Sequence, residues 1–352
     1  PSINMKIKQS DEIPLDKFIY LSLYNKKFGY YMKKDPFGKQ GDFITAPNVS
    51  RLFSEMIAIW IVSFWENLGA PKKFNLVELG AGNGEMMKIM VESFKNFPLF
   101  LKSCSLIIHE KSPVLIKIQK KKLEKHKVSW VYRIDKIKKN PSIFIANEFF
   151  DAMPIKQFRK YKDIWYEKFV NFENFSKASF IEKKADIKKI EKKLNFNISQ
   201  NQNFIEYSDV GFSYLKKISN IIKRNNGGIL LIDYGNFDKR MKNTLQAVSN
   251  HKFANILENI GNADITHNIN FDLFKRFTKK LGGLDNNFNT QKNFLIKMGI
   301  KHRAESIAKD KGFSRKADIY YRLNRLIDEK QMGTLFKVMF IKNKKNNFNL
   351  GF

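Results

Sequence analysis

The stretch FNLVELGAGNGEMMKIMVESF, residues 74–94, leaves this chain few folds to choose from. An apolar run broken only by Glu78 meets three glycines two apart, Gly80, Gly82 and Gly84, and helix-forming residues follow at once. A short apolar run closed by glycines reads as a buried strand, and the helix behind it as the next arm of a β-α-β unit. The same alternation continues through SLIIHE, SPVLIKIQKKKLEKH, VSWVY and SIFIANEF, up to residue 150. Alternating strands and helices predict an α/β fold with a parallel sheet built from right-handed crossovers.

The rest of the chain is organised around that block. Residues 1–70 read as helices and loops, with a long amphipathic helix, RLFSEMIAIWIVSFWENLG, stopped by Gly69 and Pro71. The rhythm breaks at about 155–205, where IKQFRKYKDIWYEKFVNF alternates like a hairpin and KADIKKIEKKLNFN reads as a charged helix. It returns with a helix near 210–225, the strand GGILLIDYG and a closing strand GTLFKVMFIKN. The expected organisation is an N-terminal helical segment, 1–70, and a core at 71–352 carrying an α+β insertion at about 155–205.

The glycines exclude two common phosphate sites. A P-loop ends in Gly-Lys-Ser/Thr, whereas GAGNGE has Glu85 at that point. The dinucleotide fingerprint is G-x-G-x-x-G, and a glutamate two residues before the first glycine would repel a pyrophosphate. Glu78 suits a ligand with a cationic amino group and a sulfonium, which describes S-adenosyl-L-methionine. In nucleotide-binding sheets an acidic residue ending the second strand hydrogen-bonds the ribose, and LIIHEKSP places Glu110 there. A chance glycine turn and a solvated strand-end glutamate are the plainer readings, but three acidic and glycine signals converge on one strand edge.

NEFFDAMP follows the apolar strand IFIA, which sets Asn147 and Glu148 on its C-terminal rim, where open sheets bind ligands. Asp151 comes three residues after Glu148, so a helical start would bring the two carboxylates together. Carboxylates so paired can orient a cationic group through charge-assisted bonds. The competing reading is helix capping by Asn147 or Asp151.

A formal net charge of +30 invites a nucleic-acid reading. Only ten of the 64 basic residues are Arg, the type best suited to bidentate phosphate contacts. Lys, Asn, Ile and Phe are inflated together, as in IKNKKNNFNL, so the excess reads as solvated surface and nucleic acid is not the expected partner. The chain lacks the ~18-residue apolar run of a membrane span, and PSINMKIKQSDEIPL has no apolar h-region, so no signal peptide is expected. The single Cys104 cannot form an internal disulfide and has no metal-ligand spacing around it, so no metal is expected.

GYYMKKDPFGKQGDFITAPNVSRLFSEMIAIW, VELGAGNG, ANEFFDAMPIKQF, LLIDYG, NADIT, FLIKMGI and QMGTLFKVMFI occur in the order seen in MidA-like proteins. The chain resembles that family from about residue 12 to about residue 342. The resemblance implies a Rossmann-like class I S-adenosyl-L-methionine-dependent methyltransferase fold, with the N-terminal segment covering the cofactor site. It implies protein arginine N-methylation linked to assembly of respiratory complex I, with a complex I subunit as the protein substrate. A bacterial cytoplasm is the expected compartment, with the mitochondrial matrix as the alternative.

Carried onto this chain, the family pattern makes Glu78, Gly80, Gly82, Gly84 and Glu110 cofactor residues and folds the GDFIT loop, with Gly41, Asp42 and Thr45, over the cofactor. For Asp42 and Thr45 a helix cap and turn is an equal reading. Trp130 or Tyr132 would flank the adenine, with core packing as the alternative. The acceptor side falls to Glu148, Asp151 and Asn147. Departures from the pattern are Ala81, Asn48 and Ser54 on the cofactor side. In TLQAVSNHKFANILENIGNADITHNINF, His251, Gly261, Asp264 and Thr266 are kept, whereas Gln246, Val248, Ile260 and Asn268 differ, with His267 beside the last. Two other functions fit the same residues: a nucleic-acid amino methyltransferase, through the loose likeness of Asn147-Glu-Phe-Phe150 to its base-holding motif, and a non-catalytic cofactor-binding assembly factor.

Overall fold

Burial of both faces explains why the first strand of the core is nearly all apolar. In the computed structural model, which describes residues 11–33, 45–174, 177–249, 252–258 and 260–352, β1 (Phe74–Leu79) is buried at every position. On one side it pairs in parallel with β2 (Cys104–His109), which in turn pairs with β3 (Val128–Val131). On the other side lies β4 (Ser142–Asn147), followed by β5 (Gly227–Asn236), both parallel to β1. Two further strands, β6 (Leu284–Thr290) and β7 (Phe336–Asn343), complete the order β3-β2-β1-β4-β5-β7-β6, with β7 antiparallel to both neighbours.

That order reverses direction at β1. The chain moves outward from β1 to β3 and then returns to place β4 on the other side. Loops leaving β1 and β4 therefore diverge, and the crevice between them is where open α/β sheets bind ligands. Helix α1 (Arg51–Asn67) starts at Ser50, whose Oγ accepts the Leu52 N–H at 3.3 Å, and ends ahead of Gly69 at φ 85°. Its Trp60 and Phe64 rings meet Phe340 of β7 edge-on, at 4.8 and 5.0 Å. Helix α2 (Glu85–Phe94) follows β1, and α3 (Pro113–Lys122) follows β2 with Ser112 capping it.

The compact units divide the chain differently from the 1–70 and 71–352 segments expected from sequence. One unit holds this sheet and draws on residues 45–149, Lys217–Gly235 and Leu281–Phe352. The other combines described residues up to 33 with Phe150–Lys216 and Asn236–Lys280. Pairing explains the regrouping: Glu12–Pro14 adds an antiparallel strand to Ile164–Asn174, which ties the N-terminal segment to the insertion. The hairpin predicted there forms between Lys156–Tyr161 and Ile164–Asn174. Its two-residue turn, Lys162-Asp163, has φ 45° and 63°, the mirror-image turn that matches strand twist. The predicted charged helix spans Ile187–Leu194, capped by Asp186 and stopped by Asn195 in the left-handed region.

The departures at Gln246 and Val248 fall in a small antiparallel sheet of this second unit, Lys252–Ala254 with Gln246–Ser249 with Asp264–Thr266. His251 lies outside the described residues. Among the described residues no helix is long and apolar enough to cross a membrane, and no cluster of His, Cys, Asp and Glu could hold a metal ion.

Candidate active site

A cleft enclosing about 380 Å³, its open mouth included, lies at the carboxyl ends of β1 and β4. Glu78, Gly80 and Gly82 line it from the β1 side, Asn147 and Glu148 from the β4 side, and Thr45 and Asn48 from the segment before α1. Glu85 also reaches it. Among the described residues three glutamates and no Lys or Arg line this cleft, in a chain whose formal net charge is +30.

Glu78 is the buried acid of the strand end, 2 % exposed. Its Oε2 is buried and meets no hydrogen-bond partner among the described residues. Burial, and secondarily the neighbouring Glu110 carboxylate, raises its carboxyl from 4.5 to about 8. Of the glycines, Gly80 and Gly82 line the cleft at φ 64° and 52°. Gly84 is not among the lining residues: it is the N-cap of α2, at φ 80°, a conformation that any β-carbon would strain.

Glu110 does not line the cleft either. Its Oε1 accepts the N–H groups of Lys111 and Ser112 at 2.7 and 2.9 Å, shaping the turn into α3. Burial raises its pKa, and those two hydrogen bonds oppose the shift. Its Oε2 accepts from Gln119 at 3.2 Å. Gln119, which sequence reasoning passed over, is fully buried on α3. Its Nε2 also donates to the Gly82 carbonyl at 2.8 Å, and its Oε1 accepts Trp130 Nε1–H at 2.9 Å. One amide thus joins the glycine loop, the strand-end acid and the third strand. The signal available in the sequence was a lone polar residue at a helical spacing from Leu115 and Ile116. Gln119→Leu leaves the buried Glu110 carboxylate and the half-buried Gly82 carbonyl and Trp130 indole without this partner, so urea unfolding should show a loss of about 2–3 kcal/mol.

Trp130 lies within β3, not beyond it, and packs on the hydrophobic core with Lys120 Nζ 5.6 Å from its ring centroid. Tyr132 is 59 % exposed. Neither lines the cleft. Thr45 lines it and also occupies the N-cap position of Ala46–Val49, with its Oγ1 accepting from Asn48 Nδ2 at 2.8 Å. Gly41 and Asp42 lie outside the described residues.

At the end of β4 the expected helix is absent. Residues 148–155 turn and lead into the strand Lys156–Tyr161, so neither the helical pairing of Glu148 with Asp151 nor a helix cap by Asn147 or Asp151 is formed. The reason is local: Glu148 sits at φ 49°, with its N–H donating to the Ile232 carbonyl of β5 at 2.9 Å, a conformation that no helix can extend. Glu148 Oε1 accepts Asn147 Nδ2–H at 3.2 Å and the Ala46 N–H at 3.4 Å. Asn147 is 8 % exposed, and its Oδ1 meets no hydrogen-bond partner among the described residues. Asp151 belongs to the second unit, where its carbonyl accepts the His267 N–H at 3.0 Å. There Tyr24 donates to the Ala152 carbonyl at 2.9 Å, and Tyr31 to both Asp264 oxygens at 2.9 and 2.8 Å.

With this geometry in hand, a family model described as "Putative S-adenosyl-L-methionine-dependent methyltransferase" matches residues 56–287. The chain belongs to this family. Methyl transfer from S-adenosyl-L-methionine is its reaction, and the fold is the Rossmann-like methyltransferase fold that the sequence predicts. Protein arginine methyltransferase NDUFAF7, mitochondrial, of Xenopus tropicalis is 29% identical to this methyltransferase over 94% of the chain and 83% of its own length. The Homo sapiens protein is 28% identical, over 94% and 80%. The Caenorhabditis elegans homolog is 31% identical, over 85% and 75%. A Burkholderia thailandensis crystal structure bound to S-adenosyl-homocysteine has 21% identity and a TM-score of 0.80, covering 97% of this chain and 90% of that one; this likeness shows the fold.

The methyltransferase's cleft fits that cofactor on its own chemistry. Two buried oxygens, Glu78 Oε2 and Asn147 Oδ1, have no hydrogen-bond partner among the described residues, and both belong to residues that line it. Buried acceptors left open among the described residues suit a ligand that donates hydrogen bonds. A cation that donates hydrogen bonds answers both the charge and the open lone pairs.

Proposed function

We propose that this methyltransferase modifies arginine side chains of a protein substrate, and that the substrate is a respiratory complex I subunit. The observation that carries this reading is the acidic lining of the cleft. A guanidinium, an ammonium and a sulfonium are all cations, whereas a nucleic-acid strand would bring phosphates to three glutamates. The names of the curated relatives, protein arginine methyltransferase, support the same acceptor. The compartment proposed is the one where complex I subunits are assembled, a bacterial cytoplasm or the mitochondrial matrix, and the relatives' names carry the word mitochondrial.

Glu78 is assigned to the cofactor's ammonium, and the Gly80–Gly82 turn to its close approach. Glu110, whose Oε1 accepts two backbone N–H groups and whose Oε2 accepts from Gln119, keeps one open lone pair on Oε2, which is assigned to a ribose hydroxyl. When bound, S-adenosyl-L-methionine supplies a methyl group on a sulfonium. Glu148 and Asn147 are assigned to the acceptor: the carboxylate and the open Oδ1 take guanidinium N–H bonds and aim one nitrogen into the cleft. Asp151 is not assigned to the acceptor, because residues 148–155 do not form the helix that would pair it with Glu148. Methyl-labelled cofactor incubated with the chain and a cell lysate tests the reading. Methylarginine in the protein fraction is the expected result; label confined to RNA, DNA or lysine would overturn it.

The cofactor assignment also predicts a pH dependence. In the free protein Glu78 holds its proton up to about pH 8, whereas in the unfolded chain it is lost near 4.5. The folded state binds more protons between those values, so this group makes folding less favourable as pH rises through that window. A cationic ligand prefers the ionised form and expels the proton. Cofactor affinity should therefore climb as pH approaches about 8, by up to about tenfold per unit, and level off above it. Calorimetry in buffers of different ionisation heat should show the released proton, and Glu78→Gln should flatten the profile.

A further inference from the structure

A second, larger groove adjoins the cleft within the same unit. It encloses about 1180 Å³ with its open mouth. Helices α4 (Ile300–Ala308) and α5 (Phe313–Ile327) supply one wall, and the segment 47–52 supplies the other. Pro47, Asn48 and Glu85 line both groove and cleft, so a chain lying in the groove has its end at the cleft.

The groove has an apolar floor and a charged rim whose two signs are not equally satisfied. Val49, Leu52, Ile89, Ile307 and Ile319 form the floor. Both acidic residues on the rim are already paired within the chain: Asp318 with Arg322 at 2.8 Å, and Glu85 with Lys122 at 2.7 Å. Arg51 is likewise held by Glu55 and Glu92, at 2.9 and 2.7 Å. Lys311 and Arg315 are exposed, and neither forms an ion pair among the described residues. Among the described residues the groove therefore presents two cations without an ion pair above apolar residues, opposite in sign to the cleft it joins.

We propose that this groove docks the protein substrate, binding a segment whose methyl-accepting arginine is flanked by acidic and apolar residues. The acidic side chains meet Lys311 and Arg315, an apolar side chain enters between Ile307 and Ile319, and the arginine is delivered to the acidic cleft. The charge contrast gives register as well as attraction: an acidic flank is repelled by the cleft, and the arginine is repelled by the groove. This inference rests on the cleft being an arginine-methylating site, and it excludes Gly-Arg-rich segments as preferred substrates.

The test uses the full chain and two fluorescein-labelled 15-residue peptides. They share a central arginine and one leucine, and carry either Asp/Glu or Lys flanks. Anisotropy should show the acidic peptide binding at least about tenfold more tightly, with the advantage shrinking as salt is raised from 0.05 to 0.5 M. The double variant Lys311→Glu, Arg315→Glu, both at exposed positions, should cancel that preference while cofactor affinity stays within twofold. Equal binding of both peptides, binding of neither, or an unchanged preference in the double variant would each overturn the groove assignment. Groove-dependent binding without methylation of the arginine would leave the docking site standing and remove the arginine reading instead.

Discussion

Glu148→Gln lowers methyl transfer to a protein substrate by about 10²-fold or more, roughly the scale of losing one well-placed electrostatic contact in a cleft. Cofactor affinity should stay within a few fold, because Glu78 and Glu110 are the acids assigned to that side. The amide keeps the volume of the carboxylate and can still accept one N–H, so the loss reports charge and not shape. Backbone geometry offers a second readout. Glu148 is a non-glycine residue at φ 49°, a conformation that costs of order 1–3 kcal/mol and collects at functional sites. Glu148→Gly should therefore unfold at a higher temperature than the parent, yet transfer no methyl groups. A residue kept for packing would behave the other way, losing stability and retaining activity per folded molecule. Asp151→Asn provides the contrast and should leave kcat within a few fold. Full activity in Glu148→Gln would remove the carboxylate from the mechanism.

Gly82→Val abolishes cofactor binding. The parent should bind at micromolar strength, about −7 to −8 kcal/mol by calorimetry, and the variant should give no measurable heat. Two effects act together. A β-branched residue at φ 52° is strained, and the carbonyl of the same residue is held by Gln119 at 2.8 Å, so the loop cannot rotate to relieve it. The side chain would also stand in the lining of the cleft. Gly82→Ala should be intermediate, with binding weakened and folding nearly intact. A valine variant that binds the cofactor as the parent does would move the cofactor away from this loop.

Much of the core was legible because its signals are local. An apolar run, a glycine turn and a helix make a β-α-β unit wherever they occur, and a buried two-sided strand has to be apolar throughout. The insertion hairpin was legible from period-two alternation, with the Lys162-Asp163 turn at its tip. The sixth strand was not. LDNNFNT has the composition of a loop, and it is a strand because it lies at the sheet edge with β7 supplying its hydrogen bonds from Leu284 to Thr290. Pairing of that kind is made by a partner about fifty residues away, which no window of sequence contains.

The sequence by itself determined the fold class, the cofactor and the strand edge that lines the cleft, since Glu78, Gly80, Gly82 and Glu148 all follow from apolar runs that must end at the same side of a parallel sheet. Tertiary structure decided what each residue does there. It turned Gly84 into a helix cap, made Gln119 the link between the glycine loop and Glu110, and packed Trp130 against the core, outside the lining of the cleft. It also separated Glu148 from the helix that Asp151 would have needed. Spacing predicts contact only inside regular structure, and one residue at φ 49°, stabilised by donating its N–H to the carbonyl of Ile232, 84 positions later in the chain, ends that regularity.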